Sequence, residues 1–268
     1  MATLDFEKLP ADQHVTVVIG PSGGTTLGFT DVAVPLAAEW NNTGGTSGVQ
    51  PASQSISWND WGFGMQESET SNEPSFADAA TYEEFNQSNF GGGISFFRPK
   101  EHDDLSNQHA VIQDLTFELG HLVDVGVRID GAKLTSTPGA DGDFVSVYRV
   151  QGDAESNSMD LSASVTRTVT YLQKGDFSHY TILGAHTITA VPPATTPWKA
   201  GTKARLRATV QSRDYTNALS FYSDDASVID IYPGGFYEVT GAAADTATIT
   251  IRDEDAGTSV TVPVVVTA

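Results

Sequence analysis

The sequence contains no cysteine, which removes disulfides, cysteine-based zinc sites and thiol nucleophiles together. Basic residues are scarce as well: 268 residues carry 14 Lys and Arg against 34 Asp and Glu, a formal charge of −20. A nucleic acid gripped through its phosphates needs Lys and Arg to displace counterions, so tight binding of that kind is excluded, whereas passage without sticking is not. No run approaches the roughly 20 apolar residues of a membrane-spanning helix. The opening MATLDFEKLP has no basic segment followed by an apolar stretch, so synthesis in the cytoplasm without membrane insertion is expected. Stretches rich in Leu, Glu and Lys are nearly absent, while Thr, Ser, Gly, Val and Asp abound. That is a composition for strands and turns.

The length suits two domains or one large all-β domain. Alternating apolar residues predict strands in HVTVVIG (14–20), QSISW (54–58), GISFFR (93–98), HLVDVGVRID (121–130), DFVSVYRVQ (143–151) and SASVTRTVTYLQ (162–173). The last two can pair as a hairpin across the loop at 152–160. One helix is expected in DLSNQHAVIQDLTFEL (104–119), where Ala110, Val111, Leu115 and Leu119 fall at helical spacing. Asp104 or Ser106 would cap its start and Gly120 its end.

Residues 39–53 and 62–93 show no clear period, and loops this long are functional or disordered. The second holds Phe63, Met65, Phe76, Tyr82, Phe85 and Phe90, more large apolar side chains than a free linker has reason to keep. They suit an arm ordered against another subunit, or a cover on the chain's own core. Trp58 and Trp61 suit a buried strand end, a subunit contact or a sugar platform. HTITAVPPATTPWKAG (186–201) breaks any regular pattern and puts a boundary near 186. Short strands follow at even intervals in ARLRATV (204–210), LSFYS (219–223), VIDIY (228–232), FYEVTG (236–241), ATITI (247–251) and SVTVPVVV (259–266), the pattern of a small sandwich. Charge divides unevenly at this boundary: residues 1–185 hold 25 acids against 8 Lys and Arg, and residues 186–268 hold 9 against 6.

Sites for chemistry are weak. GPSGGTTLG (20–28) lacks the Lys-Ser/Thr pair of a phosphate loop and reads as a hairpin turn. KEHDDLSNQH (100–109) gathers two His and two Asp, but acids at a helix start also suit the macrodipole. GADGDF (139–144) and RDEDAG (252–257) lack the Gly and Glu that complete a calcium loop. There is no G-x-S-x-G elbow, and the carboxylates are too dispersed to nominate a glycosidase pair. The expectation is a non-enzyme without catalytic, cofactor or metal residues.

Two resemblances add to this reading. ITAVPP, AGTKARLRATV, SDDASVIDI, GFYEVTGAAADTATITI and VTVPVVV resemble, in order, the strands of a bacterial Ig-like group 2 domain. Ala244-Asp245 stand where that family usually has Ala-Gly. WNDWGFGMQESETSNEPSFADAATYEEFNQSNFGGGISFFRPK, DVGVRIDGAKLTSTPGADGDFVSVYRVQGDAE and RTVTYLQKGDFSHYTILG resemble the major tail protein, or tail tube subunit, of long-flexible-tailed phages of actinobacteria. The resemblance implies a mainly β fold: a tail tube two-sheet sandwich or barrel with one α-helix and a long stacking loop over 1–185, a linker with a first strand over 186–198, and an Ig-like sandwich over 199–268.

It further implies a virion protein assembled in the host cytoplasm. Six copies would close a ring, and rings would stack into a tube through which genomic DNA passes without sequence-specific binding. Partners would be the chain itself, other tail proteins such as the tape measure and tail terminator, and host-surface glycans for the Ig-like domain. Trp61, Phe63, Met65, Phe76, Tyr82, Phe85 and Phe90 are the candidate oligomer and stacking residues. The rival class is a surface adhesin or carbohydrate-binding module.

Overall fold

The computed structural model describes residues 15–22, 28–41, 48–57, 61–71, 84–129, 138–158, 164–193 and 198–268, with backbone only at 68–71, 84–88 and 129. The protein is mainly β and divides into two compact units, residues 1–139 with 144–181, and residues 140–143 with 182–268.

The first unit holds β1 (Val15–Pro21), α1 (Ala37–Trp40), β2 (Gln50–Pro51), β3 (Gly64–Ser71), β4 (Glu84–Phe97), α2 (Gln108–Thr116), β5 (Leu122–Ile129), β6 (Phe144–Ser158) and β7 (Thr166–Ile182). The strands form one sheet in the order β2-β1-β5-β6-β7-β4-β3. Alternation explains its inner face: Val17 and Ile19, Val123 and Val125, Tyr148 and Val150, Val169 and Tyr171, and Ile94 and Phe96 share one buried cluster. β6 and β7 are neighbours in the sheet, and β6 continues as strand to Ser158, through most of the expected loop at 152–160, because it runs well past its apolar stretch.

Residues 50–57 and Gly62 bond to strands on both sides of this core. Gln50 and Pro51 pair with β1, the chain makes a 3-10 turn over Ser53–Ser55, and Ile56 then bridges Phe96 of β4. Ser57 N–H donates to the Ser95 carbonyl at 2.8 Å and Gly62 N–H to that of Gly93 at 3.1 Å. One short segment thus holds both β1 and β4. QSISW is accordingly not a strand; at the turn the Ser53 hydroxyl accepts the Val17 N–H at 2.8 Å, an alternative to ladder pairing that serine offers.

The segment 62–93 is a hairpin arm rather than a loop over its described residues, since β3 pairs with β4 from Gly64↔Gly91 to Ser71↔Glu84. Its polar sequence and register shifts hid it from an apolar-alternation test. The glycines have specific work here: a Cβ on Gly92, at φ +110°, would lie 2.0 Å from the Gly62 carbonyl oxygen, and one on Gly91 would lie 2.5 Å from that of Tyr171.

The helix α2 is shorter than expected and is capped by Asn107, whose side chain accepts the His109 N–H at 3.0 Å. Asp104 caps the preceding turn instead, accepting from Ser106 N–H at 3.1 Å. The buried stripe is Ala110, Val111, Ile112 and Thr116, so Leu119 falls outside the helix and is exposed. Arg167, fully buried, holds the helix end: it donates to the Thr116 carbonyl at 3.2 Å and to the Thr116 hydroxyl, as a cation at a helix C-terminus should. The single turn α1 carries no sequence signal but places Trp40 on Gly126, where a Cβ would meet the indole at 2.7 Å. This second layer makes the outer face of β5 a buried one. Asp124 there is fully buried and paired with Arg149 Nε at 2.9 Å.

The second unit holds β8 (Ile188–Val191), β9 (Lys203–Arg205), β10 (Arg207–Val210), β11 (Arg213–Asp214), β12 (Ser220–Ser223), β13 (Ile229–Ile231), β14 (Phe236–Val239), β15 (Thr246–Asp253) and β16 (Thr258–Val265). They form three antiparallel sheets, β11-β10-β8, β12-β15-β16 and β13-β14-β9. ARLRATV is split because buried Leu206 carries the chain from one sheet to another. At the unusual Ala-Asp pair, Ala244 takes φ 77° and the Asp245 carboxylate accepts the Ala242 N–H at 2.7 Å.

Candidate assembly surfaces

Aromatic packing starts in the core of the first unit and continues to its surface. Phe63 meets Tyr148 edge-on at 5.5 Å and Trp61 at 5.9 Å, and Phe90 lies 4.9 Å from Phe177. Phe63 and Phe90 are core residues of their own subunit. Each ring is already buried within its own subunit, Phe63 just ahead of β3 at 6% exposure and Phe90 on β4 at 3%. Trp61 packs half-buried against them, and Met65, 38% exposed, sits at the rim. Phe85 lies on β4 with only its backbone described, and Phe76, Tyr82 and Trp58 lie outside the described residues.

Where the core reaches the surface there is an aromatic mouth of about 160 Å³. Trp61, Phe63 and Met65 form one side, and Phe144, Tyr148 and Tyr180 the other, with His179 and Ser146 at the polar end. A left-handed residue near the end of β7 shapes its rim. Tyr180 has φ 57°, a left-handed conformation costly for a bulky side chain. Side chains replace ladder bonds around it: the Ser146 hydroxyl accepts the Tyr180 N–H at 3.1 Å and the Ser178 hydroxyl accepts the Val147 N–H at 3.3 Å. Tyr180 is left 56% exposed. His179 Nδ1 lies 2.9 Å from the Tyr148 hydroxyl, and burial pushes the His179 pKa down.

A second apolar surface went unread in the sequence. Phe117, Leu119 and Leu122 follow α2 and are exposed by 57%, 47% and 42%. Their signal was available: three large apolar residues stand within six positions past the helix end, where a surface turn is normally polar. A third feature is the sheet edge. Among the described strands β3 ends the sheet on one side, as β2 does on the other, and exposed Gln66 and Glu67 decorate β3.

The groups weighed as metal ligands serve the fold. His109 Nδ1 lies 2.9 Å from the Ser55 hydroxyl, and Asp143 accepts the Ala140 N–H at 2.9 Å. In the second unit buried His186 faces the Asp253 carboxylate at 2.6 Å through Nδ1 and the Ile182 carbonyl at 2.8 Å through Nε2. Both partners accept hydrogen bonds, an arrangement that favours the ring protonated at both nitrogens and raises its pKa. Among the described residues no three His, Asp or Glu side chains are grouped to hold a metal, and no helix is long and apolar enough to cross a membrane.

The model of one family, described as phage tail tube protein, matches residues 2–186. The chain belongs to the phage tail tube protein family. No curated protein matches it significantly. Membership makes the protein a structural component of the virion tail that assembles with itself into a tube alongside other tail proteins. The family is not an enzyme class, so the surfaces above are to be judged as assembly surfaces. For a tail tube protein, an end strand of the described sheet, an aromatic mouth and an exposed apolar cluster are usable contacts rather than defects.

Proposed function

We propose that the protein forms hexameric rings that stack into the tail tube and so make the conduit for DNA ejection in a long, flexible tail. The observation that carries this reading is the family match over residues 2–186. The sheet supports it: among the described residues β3 is an end strand of the sheet, and ring closure would pair such an edge with the next subunit. The arm of β3 and β4, with Met65 and the residues Phe76, Tyr82 and Phe85, is the proposed stacking element, and Trp61 supports its base.

The charge supports passage of DNA. Residues 1–185 carry 25 acids against 8 basic residues, and a wall with part of that excess facing the lumen would repel phosphates and let the genome slide. The tape measure and the tail terminator are the proposed tail partners. The second unit is proposed to be an Ig-like domain projecting outward. Its strand order by sequence and its lack of cysteine agree with the bacterial group 2 pattern. Repeated on every subunit, weak binding to host-surface glycans would become strong avidity.

Negative-stain microscopy of the purified protein, concentrated and held for days in rising salt, tests the reading. Salt shortens the screening length from ~10 Å at 0.1 M to ~3 Å at 1 M and so weakens repulsion within a chain of charge −20. Hollow tubes or stacked rings of regular width are expected. Dispersed particles at every salt concentration would count against it.

A further inference from the structure

The mouth and the exposed apolar cluster lie at opposite ends of the same strands. Leu122 opens β5 and pairs with Gln151, while Val127, in the wall of the mouth, pairs with Ser146. Five residues of strand separate them, about 17 Å at the usual rise. A subunit with a socket at one end and an apolar knob at the other is built for head-to-tail contact, which propagates instead of closing on a pair.

The sizes agree. The mouth measures about 160 Å³, and an apolar cavity of about 150 Å³ accepts one benzene ring. Among the described residues of the first unit, Phe117 is the exposed phenylalanine, at 57%. The walls suit a phenyl ring: Phe63, Phe144, Tyr148 and Tyr180 offer edges and faces, and Met65 offers a thioether. With its pKa pushed down by burial, His179 leaves the polar end uncharged at neutral pH. The strained Tyr180, fixed by Ser146, holds the rim open.

We propose that Phe117 of one subunit seats in the aromatic mouth of the next subunit along the tube, with Leu119 and Leu122 packing around the rim. This rests on the tail tube reading and names the contact between successive copies. Buried aromatic anchors dominate interfaces of this kind. The exposed position of Phe117 also allows its replacement without loss of the fold.

Two variants of the full chain test it. Phe117→Asp is expected to raise the concentration needed for sedimentable tubes roughly tenfold or more, with an unchanged thermal midpoint of the monomer. The chain lacks cysteine, so Glu118→Cys, beside the retained Phe117 and exposed, combined with Met65→Cys gives a clean cross-linking pair. A short bismaleimide added to assembled tubes should yield a ladder of covalent multimers, and each single-cysteine variant should not. If wild-type protein forms tubes while Phe117→Asp assembles equally well, or if the pair in assembled tubes gives no ladder, the contact is overturned and the tube reading stands. If wild-type protein forms no ordered polymer at any salt concentration, the tube reading falls and this contact falls with it.

Discussion

His186 shows how one side chain can set the pH response of the second unit. Burial works against its charge, but the Asp253 carboxylate, the Ile182 carbonyl and the field of Asp253 and Asp255 outweigh that and raise its pKa. Tyr215 packs edge-on at 5.6 Å and brings no charge. Burial likewise opposes the Asp253 carboxylate, yet the bond from His186 and the N–H groups of Ala256 and Asp255 bring its pKa below the ordinary value. The signs are opposite. The His186 contribution is complete below its unfolded pKa of about 6.5 and is lost as pH rises through the higher folded value. The Asp253 contribution is present above about 3.9 and is lost as pH falls through the lower folded value. The pair therefore stabilises most between roughly pH 4 and 6.5. Calorimetry should show the transition of the second unit moving down as pH is raised above that window. His186→Ala should cost about 3–5 kcal/mol at pH 6 and flatten the alkaline part of the profile. Neither residue was legible as a pair in the sequence, because 67 positions separate them.

At the scale of elements, the arm of β3 and β4 depends on close backbone approach. Gly92 has φ +110° and faces the Gly62 carbonyl where a Cβ would sit at 2.0 Å, so the chain cannot yield by moving a flexible side chain. Gly92→Ala should destabilise the first unit by on the order of 3 kcal/mol, from left-handed strain plus overlap, read from urea unfolding. The same glycines made the arm hard to see. The strands of β1, β5, β6 and β7 announce themselves by alternation because one face meets a core. β3 pairs its backbone with β4 and carries a mostly polar sequence, and β2 consists of only Gln50 and Pro51. The helix α2 was legible through Ala110 and Val111, but its limits were decided by Asn107 and Arg167, one a local cap and the other a residue 51 positions beyond Thr116.

For the whole molecule, the division of labour between units is open to a direct test. Residues 140–143 belong with the second unit, and Gly142 and Asp143 exchange backbone bonds with Leu183 at 2.9 and 2.8 Å. Truncation after residue 185 keeps those bonds. A chain of residues 1–185 should still form tubes of the same inner diameter by electron microscopy, thinner on the outside. Loss of assembly would show that the second unit takes part in building the tube.

The sequence by itself determined the mainly β class, the long strands of the first unit, the even short strands of the second, and the likeness to tail tube proteins. These are periodic or compositional properties, written residue by residue, and they survive without knowledge of what lies opposite. The tertiary structure decided which aromatic side chains are core and which are free. Phe63 and Phe90 read like Met65 in the sequence, yet the first two are buried among Tyr148, Tyr171 and Phe177 while the third is 38% exposed at the rim. Phe117 and Leu119 read as part of a helix and its buried stripe, but they stand outside because the helix stops at Thr116. Burial depends on neighbours distant in the chain, such as Arg167 at that helix end and Gly62 beneath Gly92, and no local pattern encodes those neighbours.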